Sequence, residues 1–362
     1  MSEIKSQDYS VYVGDESLSH LSDYVKNHQE YSQYFILVDE NTLQHCLPIL
    51  IQNIPALKDA EVIETESGEI NKTIEVVTQV WMAMSELHAD RKTLVINLGG
   101  GVLGDMGGFI ASTYKRGVDF VNIPTTLLSQ VDASVGGKLG IDLGGLKNQI
   151  GVFNYPEGVF IYPPFLATLP KEQLRSGFAE VLKHALIKDR NYWEELKSID
   201  LSVENDWEKI IAHSVSIKNK VVIGDPKEQG ERKLLNLGHT IGHAVETFHL
   251  ENDNLTTLLH GEAIAIGMIA EGYLATSKSG LSESDLNEMC QVIASFFPLP
   301  ELNEADFSAF IGLMSHDKKN QKGKISFSLL KSIGTSEWDV FCEENEIIEA
   351  LTFYNEIAGK YE

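Results

Sequence analysis

Four histidines, His239, His243, His249 and His260, lie in one short part of the sequence. His239 and His243 are four residues apart, so both imidazoles project from one face of a helix. Such a pair can bind one divalent ion through the neutral ring nitrogens that zinc prefers. Thr240 stands where the H-E-x-x-H motif has glutamate, which excludes that class of metalloprotease. A single histidine is more often a surface or core residue, but this group predicts a metal site with His239 and His243 as joint ligands.

Other polar side chains interrupt the apolar pattern of the same region. Glu180 and Lys183 are one helical turn apart in an otherwise apolar window, so a carboxylate and an ammonium project together. Arg232 and Asn236 precede His239 at steps of four and three residues, which places all three along one helical face. The pattern predicts a polar ligand site built on helices.

The stretch 93–151 is dense in glycine, which indicates backbone that approaches another group closely or adopts positive φ. A short apolar run at 93–98 breaks into glycines, and Gly99, Gly101 and Gly104 match the G-x-G-x-x-G pattern that binds a pyrophosphate at a helix N-terminus. A tight strand-to-helix turn needs glycines as well, so the match alone is weak.

Charged and amide side chains lie among these glycines, where a solvated helical face would instead contain helix formers. They are Arg116, Asp132, Lys138, Lys147 and Asn148. The formal net charge of −24 argues against binding to nucleic acid or to anionic membranes. In so acidic a chain, a local group of basic residues indicates a specific site for a small anionic substrate.

The composition is that of a globular protein, with 43% hydrophobic and 23% charged residues, and 362 residues suffice for two domains. Cys46, Cys290 and Cys342 are far apart and lack CxxC spacing, so we expect reduced thiols. No apolar run reaches the roughly 20 residues of a membrane helix, and no basic and then apolar segment opens the sequence. We therefore expect a cytoplasmic protein.

Strand and helix signals alternate in the first half, which favours an α/β fold with a mostly parallel sheet. The sequence predicts strands at 11–14, 34–38, 61–64, 93–98, 119–123 and 158–162, and helices at 17–27 and 72–86. After the proline-rich segment 154–170, helical periodicity continues to about residue 301. A strand pair at 324–330 and 336–341 and a helix at 344–361 follow. These signals predict an α/β domain of residues 1–168 and a mainly α-helical domain of residues 169–362.

Two predicted strands end in polar residues, which makes Asp39, Asn41, Glu69 and Lys72 candidates for a cofactor site, because ligands of open α/β sheets bind beyond the carboxyl ends of strands. Helix capping by Asp39 and Asn41 explains the first pair equally well.

Several long blocks resemble the 3-dehydroquinate synthase family of the sugar-phosphate cyclases. They include GGGVLGDMGGFIASTYKRGVDFVNIPTTLLSQVDASVGGKLGID, KNQIG, FAEVLKHALI, RKLLNLGHTIGHAVE, LLHGEA and DKKNQKGKISFSLL, in that order. The resemblance covers about residues 39–330. It implies a Rossmann-like, NAD-binding first domain and a second domain that binds metal and substrate.

The resemblance also implies residue roles. It implies Zn²⁺, with Co²⁺ as an alternative, held by Glu180, His239 and His260, which leaves His243 as a substrate-side acid/base or phosphate partner. The implied NAD residues are Asp39, Asn41, Glu69, Lys72, Gly99, Gly100, Gly101, Val102, Asp105, Thr125, Thr126, Lys138, Lys147 and Thr168. The implied substrate residues are Arg116, Asp132, Lys138, Lys147, Asn148, Lys183, Lys218, Glu228, Arg232, Asn236, His243 and Lys318, with Lys319 as the alternative to Lys318.

Three features depart from the family pattern. Ala133 stands where the family commonly has serine, Leu139 stands where it commonly has threonine, and the loop 248–258 before His260 is a few residues longer than the family's. None of them removes an implied ligand, so the departures concern local geometry.

The implied reaction converts 3-deoxy-D-arabino-heptulosonate 7-phosphate to 3-dehydroquinate and phosphate in the shikimate pathway. NAD oxidises C5 and later returns the same hydride, phosphate leaves, and ring opening with an aldol closure follows. Family members are usually homodimers. The alternatives are another sugar-phosphate cyclase and an NAD-dependent, metal-containing polyol dehydrogenase, while a non-enzymatic NAD-binding module explains the metal and anion residues less well.

Overall fold

The computed structural model describes residues 2–28, 30–144, 146–203, 205–252, 254–315 and 324–361. In the first half, seven strands form one sheet: β1 Ser2–Lys5, β2 Ser10–Val13, β3 Gln33–Asp39, β4 Glu61–Thr65, β5 Thr93–Gly99, β6 Asp119–Pro124 and β9 Gly158–Ile161. Their order across the sheet is β1-β2-β9-β6-β5-β3-β4, and every pairing is parallel except β1 with β2. The six predicted strands and the parallel α/β fold are confirmed. β1 escaped prediction because its four residues alternate between half-buried and exposed and contain one apolar side chain.

Helices cover both faces of this sheet, because its central strands are buried on both sides. The helices are α1 Ser17–Asn27, α2 Glu40–His45, α3 Leu47–Asn53, α4 Ile74–Glu86 and α5 Gly101–Thr113. One hydrophobic core cluster contains Val77 of α4 and Ile110 of α5 together with residues of the sheet. A second cluster contains Leu21 of α1 and Leu50 of α3 together with other residues of the sheet. The predicted helices at 17–27 and 72–86 are confirmed as α1 and α4.

The second half of the glycine-dense stretch forms an antiparallel hairpin of β7 Lys138–Leu143 and β8 Leu146–Phe153. Glycine pairs with glycine at Gly140 and Gly151, and a Cβ on Gly151 would overlap the Leu139 carbonyl. The sequence did not predict this hairpin, because glycines and charged residues mask strand signals.

The second half is mainly helical, as predicted. Its helices are α6 Lys171–Lys188, α7 Arg190–Leu196, α8 Trp207–Gly224, α9 His239–Glu251, α10 His260–Lys278, α11 Glu283–Phe296, α12 Phe307–Ser315 and α13 Glu344–Tyr361. The predicted strand pair is the hairpin of β10 Ile325–Ser332 and β11 Thr335–Cys342, and the last predicted helix is α13.

The chain divides into two compact units. The first contains Met1–Leu174 and Asp206–Asn219, and the second contains Arg175–Asn205 and Lys220–Glu362. Within the described ranges, no helix is both long and apolar enough to cross a membrane.

Candidate functional site

Three helices of the second unit bring one carboxylate and three imidazoles together. Glu180 of α6 lies with Oε1 3.5 Å from Nε2 of His239 and 3.6 Å from Nε2 of His260. His239, His243 and His260 each offer a ring nitrogen within 4.8 Å of the others. Two ligand atoms of a tetrahedral zinc, each 2.0–2.1 Å from the ion, lie about 3.4 Å apart. The donor atoms and spacing of Glu180, His239 and His260 therefore fit a divalent metal.

The second nitrogen of two of these rings is held by another group. Nδ1 of His239 lies 3.0 Å from the Leu237 carbonyl oxygen, and Nδ1 of His260 lies 3.4 Å from Oε2 of Glu246. In a neutral imidazole, a proton on Nδ1 that is donated to such an oxygen leaves the Nε2 lone pair available to a metal ion, as in many zinc sites. In both rings, Nε2 is the nitrogen that faces Glu180.

The local electrostatics differ between the two rings. Burial, reinforced by the nearby Lys183 ammonium, holds the pKa of His239 well below its usual value. Burial also disfavours charge on His260, but the carboxylates of Glu246 and Glu180 outweigh it and raise the pKa of His260 to about 10. A metal ion would replace the proton that these carboxylates attract to His260.

Glycines allow the three helices to approach closely. A Cβ on Gly267 of α10 would overlap the Gly238 carbonyl oxygen, and one on Gly242 of α9 would lie 2.8 Å from the Ala263 carbonyl oxygen. A Cβ on Gly261 would overlap the backbone of Ser176 in α6, whose hydroxyl accepts a hydrogen bond from the Gly261 amide at 2.9 Å. The helices that present Glu180, His239 and His260 thus contact each other through backbone.

Further predicted substrate residues lie in the same unit. The buried Lys183 forms an ion pair with Glu180, whereas the His243 side chain is exposed. Asn236 donates a hydrogen bond to Oε1 of Glu228 at 2.6 Å, and Arg232 donates one to the Pro226 carbonyl at 2.7 Å.

The Asp225 carboxylate shapes the loop that carries Glu228. It accepts hydrogen bonds from the backbone amides of Gln229, Gly230 and Arg232 at 2.6–3.1 Å. Burial opposes ionisation of Asp225, but these amide donors prevail and lower its pKa. Asp225 therefore organises the segment from which Glu228 and Arg232 project.

The glycine turn of the first unit joins β5 to α5, as the sequence predicts. Gly100 precedes the helix in an extended conformation, and no described side chain caps it. A Cβ on Gly100 would lie 3.2 Å from Thr126, and one on Gly101 would lie 3.2 Å from Ala133. The turn lines a pocket of about 210 Å³, its open mouth included. Glycine amides at a helix N-terminus fit the phosphates of a dinucleotide.

Lys72 is the centre of a polar network beside this turn. Its side chain is 3% exposed, and its ammonium lies 2.7 Å from Asp105 Oδ2 and 2.7 Å from Asn148 Oδ1. Glu69 lies 3.8 Å from Lys72 and 3.9 Å from Lys147. Burial disfavours the charge, but the carboxylates of Asp105 and Glu69 raise the pKa of Lys72. The network brings together five of the residues predicted for NAD or substrate.

The remaining predicted residues of the first unit are distributed more widely. Asp39 caps α2 and accepts from the Thr42 amide at 2.8 Å, so the capping role that the sequence left open is present. Lys218 donates to the Asp132 carbonyl at 2.6 Å, and Thr125 donates its amide to the Gly99 carbonyl at 3.0 Å. Thr168 ends a short 3₁₀ helix. Lys318 and Lys319 lie outside the described residues.

Backbone strain marks three of the predicted substrate residues. Six described non-glycine residues have positive φ, and they include Arg116 at 75°, Asn148 at 52° and Glu228 at 57°. Such conformations cost about 1–3 kcal/mol each and persist where the surrounding structure imposes them, often at binding sites.

Glu246, Glu271 and Asp225 were not predicted from the sequence, although each contacts the site or the segments that carry it. A signal was present for Glu271, because a carboxylate within the apolar run IAIGMIAEGYLA is costly unless it is hydrogen-bonded. Glu246 carried a weaker signal, as the last acidic residue of the block that contains both helical histidines.

Comparison with known proteins gives a consistent result along the chain. The family model for the 3-dehydroquinate synthase N-terminal domain matches residues 62–176, and that for the C-terminal domain matches residues 177–320. A 3-dehydroquinate synthase of Parabacteroides distasonis is 40% identical over 343 residues, which are 94% of this chain and 96% of the relative.

Two solved structures share the fold. A 2-epi-5-epi-valiolone synthase from Streptomyces hygroscopicus subsp. jinggangensis 5008, with NAD⁺ and Zn²⁺ bound, is 27% identical with a TM-score of 0.79, covering 98% of this chain and 99% of its own. A 2-deoxy-scyllo-inosose synthase complexed with carbaglucose-6-phosphate, NAD⁺ and Co²⁺ is 24% identical with a TM-score of 0.84, at 98% and 99% coverage. The latter likeness shows the fold alone.

Proposed function

This chain belongs to the 3-dehydroquinate synthase family, and from that premise we propose how its residues divide the work of the reaction. The enzyme is a lyase that converts 3-deoxy-D-arabino-heptulosonate 7-phosphate to 3-dehydroquinate and phosphate, within aromatic amino acid biosynthesis. The observation that carries the residue-level proposal is the convergence of Glu180, His239 and His260 on one point.

We propose that these three side chains hold Zn²⁺, with Co²⁺ as an alternative. Two neutral imidazoles and a carboxylate form a common catalytic zinc set, which leaves a fourth position for substrate. When bound, the metal supplies Lewis-acid polarisation of substrate hydroxyls, and NAD supplies a reversible hydride acceptor. Leu237 and Glu246 would keep the two imidazoles oriented, and His243 would remain available to the substrate as an acid/base or phosphate partner.

The glycine turn and the Lys72 network support NAD binding in the first unit. Here the amides of Gly99, Gly100, Gly101 and Val102 would face the pyrophosphate, with Asp105 and Lys72 beside them. The related valiolone synthase carries NAD⁺ and Zn²⁺, which supports the same pair of cofactors in this chain. The other proposed NAD residues are Asp39, Asn41, Glu69, Thr125, Thr126, Lys138, Lys147 and Thr168.

The substrate carries a carboxylate and a phosphate, which require several cationic partners. Arg116, Lys138, Lys147, Lys183 and Arg232 would supply them, as charge-assisted hydrogen bonds to these groups are strong. Asp132, Asn148, Lys218, Glu228, Asn236 and Lys318 complete the proposed contacts. A site that encloses the substrate would keep water from the reactive enol that precedes ring closure.

The setting of the protein is also a proposal. We propose that the protein is a cytoplasmic homodimer. We also propose that it binds neither nucleic acid nor membrane, since the chain is strongly acidic. The division into a cofactor domain of residues 1–168 and a metal and substrate domain of residues 169–362 belongs to the same proposal.

Metal dependence tests the residue-level proposal. Protein stripped with a chelator should lose phosphate release from the heptulosonate phosphate, and added Zn²⁺ or Co²⁺ should restore it. Release that survives complete removal of divalent ions, as measured by elemental analysis of the same sample, would contradict the proposed metal site.

A further inference from the structure

The first turn of α9 is capped by a residue of another helix. Gly238 precedes α9 at φ 78° and brings no capping side chain. Instead, the carboxylate of Glu271 in α10 accepts hydrogen bonds from the amides of Gly238 at 2.6 Å and Ile241 at 3.1 Å, and the Thr240 backbone is a third partner. These residues flank His239, the first residue of α9.

The position of Glu271 along α10 connects this cap to the histidine cluster. Glu271 follows His260 by eleven residues, which is about three helical turns, so both project from the same face of α10. Gly267 lies on that face as well, and a side chain there would overlap the Gly238 carbonyl. One face of α10 therefore presents His260 and also holds the start of α9.

The burial of Glu271 makes this contact costly to lose. Its side chain is 0% exposed, and the amides of a first helical turn have no acceptor within their own helix. If the carboxylate were removed, these buried amides would lose its oxygens as hydrogen-bond acceptors, and the turn would have to shift for the amides to find another acceptor. A shift of this turn would change the position of His239 relative to Glu180 and His260.

We propose that Glu271 is a positioning residue of the metal site, which fixes His239 and His243 relative to His260 by holding the backbone of the first turn of α9. The inference rests on the proposed ligand set of Glu180, His239 and His260. Groups that orient metal ligands typically contribute 10- to 100-fold to metal affinity.

The test compares Co²⁺ binding by the metal-free, full-length wild type with that of Glu271→Leu and Glu271→Gln. The visible absorption of bound Co²⁺ reports ligand geometry, and its titration gives the dissociation constant. Asp189→Ala is the matched control, because Asp189 caps α7 by accepting from the Tyr192 amide at 3.0 Å and is not a proposed ligand. Thermal unfolding of each metal-free protein is measured in parallel.

We expect Glu271→Leu to weaken Co²⁺ binding at least tenfold and to change its spectrum. Glu271→Gln keeps one acceptor oxygen and should rescue part of the affinity, whereas Asp189→Ala should lower the unfolding temperature with wild-type Co²⁺ binding. If the Glu271→Leu protein does not fold, the same titration of a folded Glu271→Gln protein decides the matter. Wild-type affinity and spectrum in the Glu271 variants would overturn this inference alone, and a wild type that binds no Co²⁺ would overturn the metal site and this inference with it.

Discussion

A single carboxylate oxygen, Oε1 of Glu180, lies within 3.6 Å of ring nitrogens from two different helices. Glu180 is completely buried, and an isolated carboxylate in such a place would be costly. Its neighbours are Lys183 and two imidazoles whose outer nitrogens already have hydrogen-bond partners. Single substitutions at these side chains can therefore test the proposed metal site.

His260→Ala should remove one proposed metal ligand and lower the rate of phosphate release by at least about a hundredfold. His249→Ala is the matched control, because His249 lies in α9, next to α10, but its Nδ1 contacts the Thr256 carbonyl at 2.9 Å, outside the cluster. Steady-state phosphate assays and metal analysis of both variants provide the measurement. Equal activity of the two variants would exclude His260 as a ligand.

Lys72→Met should lower the free energy of unfolding by about 3 kcal/mol, because it leaves Asp105 beside a buried methionine instead of an ammonium. NAD binding should weaken as well. Lys26→Met, which removes an exposed pair with Asp23, should cost at most about 1 kcal/mol. Denaturant unfolding and NAD titration of both variants test the difference, and similar losses in the two would contradict the role given to the Lys72 network.

Glu271 should make stability depend on pH. Burial raises its pKa from 4.5 to about 8, against the backbone amides that lower it. The folded state therefore binds a proton more tightly than the unfolded state, so this group's contribution to stability is present below about pH 4.5 and is lost as the pH rises to about 8. In metal-free protein, Glu271→Gln should remove this decline, whereas Glu349→Gln on α13 should keep it. An unchanged pH profile of unfolding in Glu271→Gln would disprove the assignment.

At the scale of elements, close backbone packing explains how three helices can present side chains to the one proposed metal site. Gly238, Gly242, Gly261 and Gly267 each lie where a side chain would meet backbone of a neighbouring helix. The spacing of His239 and His243 is visible in sequence because both lie on one helix. The convergence of Glu180 and His260 on that pair is not visible, since it depends on contacts between helices distant in the chain, and only the family resemblance implied it.

Gly267→Ala should destabilise the protein by about 1–3 kcal/mol, because its methyl group would overlap the Gly238 carbonyl. Metal affinity should fall with it, as α9 and α10 separate. Gly312→Ala in α12 is the control, because no atom of another described element lies within 4 Å of the new methyl group, and it should stabilise by up to about 1 kcal/mol. Unfolding and Co²⁺ titrations measure both effects, and a neutral Gly267→Ala would refute the packing argument.

For the molecule as a whole, the hydrophobic periodicity and the composition of the sequence predicted most of the fold. Buried parallel strands such as β5 are continuous apolar runs, and α13 shows clear amphipathic periodicity, so both were evident in the sequence. The β7–β8 hairpin was not evident in the sequence, because its glycines and charged residues make close strand pairing and polar contacts and do not form an apolar, buried pattern. The same polar residues nevertheless led to the prediction of a site for a small anionic substrate.

The whole enzyme is expected to eliminate phosphate while NAD is recycled within each turnover. The most direct measurement supplies the heptulosonate phosphate in large excess over NAD and follows phosphate, 3-dehydroquinate and NADH absorbance in one reaction. We expect many phosphates and equal amounts of 3-dehydroquinate per NAD, with no accumulation of NADH. NADH that rises in step with substrate consumption, without phosphate release, would instead identify a dehydrogenase and contradict the proposed reaction.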